Sequence, residues 1–277
     1  MNPLWIVQIL AVLRLEMRKT FFSKRGFWIY FVALAPVVLF TGHSLLQMSK
    51  HFHCDFGSDT TIFATAFQIF YLRLGVFFGC VGIFMNLFRG EVLDRSLHYY
   101  FLAPIRREVL LAGKFLAGVI ATSVIFTTST FLQIVGNYLH HDWRVVSDYL
   151  FNANGISHIV DYLGATILAC VGYGSIFLAA GVLMRNPLIP AGVILVWESI
   201  NSFLPSMLQK FSVIYYLKSL CPIQIVPNSG SFFAILSINV DPLPAYIAAP
   251  GVLLFSLLIL AIASIQVRKM EINYATE

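Results

Sequence analysis

The chain has 277 residues, 58% of them hydrophobic and only 11% charged, with a mean hydropathy of +0.81. Soluble domains carry about 25% charged residues, so a soluble enzyme or binding module is excluded and an all-α polytopic membrane protein is expected. The net charge of +5 sits at the ends of apolar runs rather than in one basic patch, so no nucleic-acid partner is expected.

In hydrocarbon, an apolar run of about 20 residues satisfies its backbone hydrogen bonds only as a helix. Residues 1–26 open the chain with an apolar pattern that includes Trp5 and is broken late by Arg14, Glu16, Arg18 and Lys19. That stretch is too polar to span and is read as an interfacial helix. The opening Pro3–Leu13 has no basic run before it and no small-residue cleavage site after it, so no signal peptide is expected.

Six spans follow, at 27–46, 62–88, 109–135, 159–184, 187–204 and 246–267. The first contains Pro36, a kink position. The fourth carries Gly164, Gly172, Gly174 and Gly181, which permit close helix approach. Pro187 and Pro190 fall at the start of the fifth, where a missing amide costs least. A polar loop is expected over Gln47–Thr61, and a second over Gly136–His158. Residues 205–245 are too apolar for a solvated loop and are cut by Pro222, Pro227 and Gly230 into pieces too short to cross. They read as an extracytoplasmic re-entrant segment.

Thirteen Lys and Arg, from Arg14 to Lys269, fall on one side of these spans, against Lys50, Arg144, Lys210 and Lys218 on the other. The basic side is therefore assigned to the cytoplasm, with both termini inside.

The loop at 89–108 lies within RGEVLDRSLHYYFLAPIRREVLLAGK, Arg89 to Lys114. Its ends are charged, and its centre, Leu97 to Leu102, is bulky, aromatic and amphipathic. Glu91, the run ending Leu102-Ala103-Pro104, Arg106 or Arg107, and then Leu110-Leu111-x-Gly113-Lys114 together resemble the cytoplasmic loop of type-2 ABC transporter permeases. The family often has Gly-Thr after the acidic residue, where this chain has Arg95-Ser96.

The resemblance implies a coupling helix that docks on a separate ATPase, with Glu91, Asp94, Arg95, Leu97, Tyr99, Tyr100, Leu102, Pro104, Arg106 and Arg107 as the contact residues. It implies two ATPase subunits that carry the ATP and Mg, a second permease copy forming a homodimer, and a bacterial inner (plasma) membrane. The chain itself has no phosphate loop, because Gly113-Lys114 is followed by Phe115 and lacks the glycine five residues earlier. The expected function is the permease subunit of an exporter for an amphipathic, lipid-like or drug-like substrate. The alternative is an intramembrane enzyme or a metal-linked scaffold without ATP coupling.

Within the spans, Gln68, Arg73, Glu198 and Asn201 are the costly polar residues. They read either as a buried pair that fixes helix packing or as a polar relay lining a pathway. No catalytic constellation is found, since Glu198 is the only acid deep inside a span, Asp161 lying at the start of the fourth. His51, His53, Cys54 and Asp55 in one outer loop, with His140, His141 and Asp142 in another, are donors that suit a borderline metal. Histidines in exposed loops are usually just solvated, so no metal ligand is assigned and no cofactor is expected on this chain. Four cysteines without CxxC spacing support no zinc or redox site. Cys54 and Cys221 share the outer side, where an oxidising compartment would allow a disulfide.

Overall fold

Long apolar stretches punctuated by charge, proline and glycine produce a bundle in which every described element is helical. The computed structural model describes residues 3–22, 26–50, 55–93, 102, 105–184, 188–223 and 243–269. Helix α1 is Pro3–Phe22 and α2 is Phe27–Lys50. One continuous rod then runs through α3 (Phe56–Ala66), a π-helical stretch Phe67–Val76 and α4 (Phe77–Leu93). It is followed by α5 (Arg107–Tyr138), α6 (Trp143–Asn152) and α7 (Gly155–Leu183). Next come α8 (Leu188–Ile200), a 3₁₀ turn Asn201–Phe203, the short α9 (Ser206–Gln209), α10 (Val213–Leu220) and α11 (Ala245–Lys269).

Five helices are long and apolar enough to cross a membrane: Phe27–Ser49, Phe56–Glu91, Arg107–Tyr138, Gly155–Leu183 and Ala245–Lys269. The chain is an integral multi-pass membrane protein. The apolar helix expected as the fifth of six spans is 13 residues long, Leu188–Ile200. At 1.5 Å per residue it reaches about 20 Å, less than the ~30 Å hydrocarbon core. The expected loop at Gln47–Thr61 is largely helix, because α2 continues to Lys50 and α3 begins at Phe56. The expected loop Gly136–His158 holds the amphipathic α6, and the turn into α7 passes through Asn154 in the left-handed region at φ 59°.

Packing centres on α7, the most enclosed span, with α2 the most exposed to its surroundings. Lipid removes most of the hydrophobic driving force between helices, so close approach and dispersion contacts must hold the bundle. Phe84 of α4 supplies such a contact. Its ring lies between Gly118 of α5 and Gly174 of α7, and a Cβ at either glycine would come within 2.5 Å of it. Gly181 faces the Met85 backbone and Gly172 faces Val213, whereas Gly164 opens onto empty space. Three of the four glycines expected at helix contacts are therefore at contacts, and Gly164 is not. Aromatic rings continue the seam between the rod and α7, with Phe67 and Tyr162 at 4.8 Å and Phe77 and Phe177 at 4.9 Å between centroids. In α2, Pro36 deprives the preceding turn of a helical amide. Ser129 of α5 donates to the Ala33 carbonyl in that turn at 2.5 Å.

Candidate functional site

Polar side chains gather at three levels of the bundle. The first is the basic end. Val12, Glu16 and Lys19 follow helical spacing and share one face of α1. That face lies along the start of α5, where a Cβ on Gly113 would meet Val12 at 3.0 Å. The neighbouring Lys114 is fully buried. Its Nζ lies 2.7 Å from Glu16 Oε1 and 2.8 Å from Glu91 Oε2, and it donates to the Leu87 carbonyl at 2.8 Å. Lys19 completes the cluster at 2.9 Å from Glu91 Oε1. A buried lysine is tolerable only with its charge matched and its protons used, and both conditions are met.

The resemblance placed Glu91 on a docking surface. Its described contacts, with Lys114 at 2.8 Å and Lys19 at 2.9 Å, run into the bundle. Arg106 stacks over the Trp5 ring at 5.0 Å. Arg107 donates to the Arg268 carbonyl at 2.9 Å, and Arg268 pairs with Glu108. A cation there satisfies the last carbonyls of α11 and opposes the helix dipole. Leu102 is exposed. Asp94, Arg95, Leu97, Tyr99, Tyr100 and Pro104 lie outside the described residues.

The second level is the expected intramembrane polar set. No ion pair joins Arg73 to Glu198 among the described residues. Glu198, 1% exposed, caps a helix instead. Its Oε1 accepts from the Val213 amide at 3.0 Å, and its Oε2 accepts from the Ile214 amide at 2.9 Å and from Ser212 Oγ at 2.8 Å. The first amides of a helix lack intrahelical acceptors, and a carboxylate answers both the amides and the dipole. Gln68 donates to the Ile223 carbonyl at 2.7 Å, and Asn201 to the Gln209 carbonyl at 3.2 Å. Three of the four polar residues therefore hold backbone groups of the segment between Pro205 and Ile223. Arg73 sits inside the π-helical stretch with its Nε buried and lacking a hydrogen-bond partner among the described residues.

The third level is the opposite end of the bundle. Asp59 lies in the first turn of α3, where the sequence suggested a loop, and is 2% exposed. His140 Nε2 lies 2.9 Å and His141 Nε2 3.0 Å from Asp59 Oδ2. The two imidazoles lie 4.0 Å apart between centroids, tilted by 37°. Phe56 closes one side, 5.1 Å from the His141 ring and 5.2 Å from Tyr138. Burial, and secondarily the adjacent His141, push the His140 imidazole below its ordinary range. His51, His53 and Cys54 lie outside the described residues. Cys221 is buried, with its Sγ donating to the Leu217 carbonyl at 3.4 Å.

Reading the sequence alone missed Glu16, Lys114 and Asp59 as partners. A usable signal existed for Glu16, an acid on the apolar face of an amphipathic helix, and for Lys114, a cation at the mouth of a span. Asp59 gave none, since its polar neighbours matched a loop. No protein-family model matches the chain, and no curated protein matches it.

Proposed function

We propose that the chain is the membrane subunit of an ATP-driven exporter of the type-2 ABC class. The reading rests first on the loop whose residues resemble that family. The observation that carries it is the buried cluster of Lys114, Glu16 and Glu91. This cluster joins α1, the end of α4 and the start of α5 at the two roots of the loop. A push on Leu97–Leu102 would therefore reach two spans and the amphipathic helix together instead of dissipating in a flexible hinge.

In this reading α8 is the fifth of six spans, both termini are cytoplasmic, and the segment after Pro205 re-enters the outer leaflet. Gln68, Glu198 and Asn201 anchor that segment to the spans. Two copies of the chain form the pathway, and two ATPase subunits supply ATP hydrolysis. The exposed apolar side chains Leu188, Ile189, Val193 and Val196 on α8 suit a partner helix or acyl chains. An amphipathic, lipid-like or drug-like substrate fits such a surface.

Gentle purification from the native membrane, mass identification of co-purifying chains and an ATPase assay test the proposal. A stoichiometric partner bearing a phosphate loop, lost with Arg95→Glu or Tyr99→Ala, is the expected result. A chain that purifies alone without ATPase activity overturns it.

A further inference from the structure

The cluster of Asp59, His140 and His141 contains a conflict that ordinary hydrogen bonding leaves open. Ser44 Oγ is 2.6 Å from the Gly136 carbonyl, which can only accept, so the single hydroxyl proton is spent there. The same Oγ is 3.0 Å from His140 Nδ1 and must accept from it. Nδ1 therefore carries the ring proton, and Nε2 of the neutral imidazole presents a lone pair. That Nε2 belongs to a side chain 5% exposed and lies 2.9 Å from a carboxylate oxygen. It nevertheless has no hydrogen-bond partner among the described residues. With the ring neutral, two electron-rich atoms thus lie 2.9 Å apart in a buried site without the geometry of a hydrogen bond, and His141 Nε2 converges on the same oxygen at 3.0 Å.

We propose that Asp59, His140 and His141 form a binding site for one divalent transition-metal ion of the zinc class, at the end of the bundle opposite the basic cluster. Two imidazole nitrogens and a carboxylate oxygen are the donor set that zinc and its neighbours take, with a water in the fourth position. The three ligand atoms lie within 4.8 Å of one another. Metal–ligand bonds of about 2.0–2.1 Å separate neighbouring ligands in a tetrahedron by about 3.3 Å. Opening the two contacts by a few tenths of an ångström admits the ion. A 2.9 Å contact that forms no hydrogen bond also fits, because ligand atoms flank an ion instead of pointing at one another.

The Nδ1–H bond to Ser44 is the outer contact that fixes tautomer and ring orientation in metal-bound histidines. One cation between the rings satisfies both Nε2 atoms, whereas two protons on imidazoles 4.0 Å apart would repel. Bound there, the ion ties the start of α3 to the turn after α5, with Ser44 of α2 behind it. The site does not depend on the transport reading, and either can fail alone.

The test uses the full chain, purified in detergent on a histidine-free affinity tag, stripped with chelator and dialysed against buffered Zn²⁺. The wild type is expected to retain one zinc per chain. The His140→Gln/His141→Gln double variant is expected to lose it, and Ser44→Ala to bind about 10–100-fold more weakly. Co²⁺ added to the stripped wild type should produce the visible absorption of a low-symmetry nitrogen–oxygen site, which reads the site without relying on any variant folding. Equal zinc in wild type and double variant, or a wild type whose Co²⁺ spectrum is that of the aqueous ion, overturns the proposal.

Discussion

Lys114 shows how much one buried charge can determine. Its ammonium is enclosed by Glu16, Glu91 and the Leu87 carbonyl, so removing it leaves two carboxylates facing each other in a buried site. Breaking such a pair costs about 3–5 kcal/mol. Lys114→Met is expected to lower thermal stability in detergent sharply, and Lys114→Met combined with Glu16→Gln to recover part of the loss. Thermal unfolding of the purified variants measures both.

Glu198 is a second case. Glutamine keeps the shape but turns an amide NH₂ toward amides that already donate, at a cost of about 1–3 kcal/mol for the unsatisfied group. Glu198→Gln is expected to increase hydrogen exchange across 205–223 while the core of α7 stays protected. The reciprocal swap Arg73→Glu/Glu198→Arg is expected to fail to restore that protection. A guanidinium has no acceptor for the Val213 and Ile214 amides, whereas a simple ion pair would survive the exchange.

At the scale of elements, the bundle is held by local fit. Phe84 has no room to move away from a new methyl, because Gly118 and Gly174 bracket it on both sides. Overpacking of this kind costs about 1–3 kcal/mol. Gly174→Ala should therefore destabilise by that order, and Gly164→Ala, which meets nothing, should leave thermal stability unchanged. Some of the long helices were legible in the sequence, since the runs 109–135 and 246–267 match α5 and α11 to within three residues at each end, whereas α3 begins and α6 lies where loops were expected. The π-helical stretch Phe67–Val76 was not, because nothing in FQIFYLRLGV distinguishes a widened turn from an ordinary one. It is an arrangement settled against neighbours, where Tyr71 donates to the Phe126 carbonyl at 2.6 Å and Gln68 reaches Ile223. π-Helical turns often mark functional positions, and Arg73 lies in this one.

At the scale of the whole molecule, the two ends of the bundle differ in chemistry. Basic residues of α1, α5 and α11 collect at one end, while Asp59, His140 and His141 occupy the other. If the proposed coupling is correct, cysteines introduced at Leu102 and on the ATPase surface should cross-link in membranes, while cysteines at the Asp59 end should not. Cross-linking yields with and without ATP check this directly.

Composition and the length of apolar runs by themselves determined that the chain is helical and embedded in a membrane, because a bilayer allows an unpaired backbone few alternatives. Only the tertiary structure decided the partners. Glu16 and Lys114 are 98 residues apart, Gln68 and Ile223 are 155 apart, and Asp59 meets His141 from 82 residues away. Sequence records the cost of burying each polar group, but which group offsets that cost depends on how helices cross in space, and no local pattern encodes it.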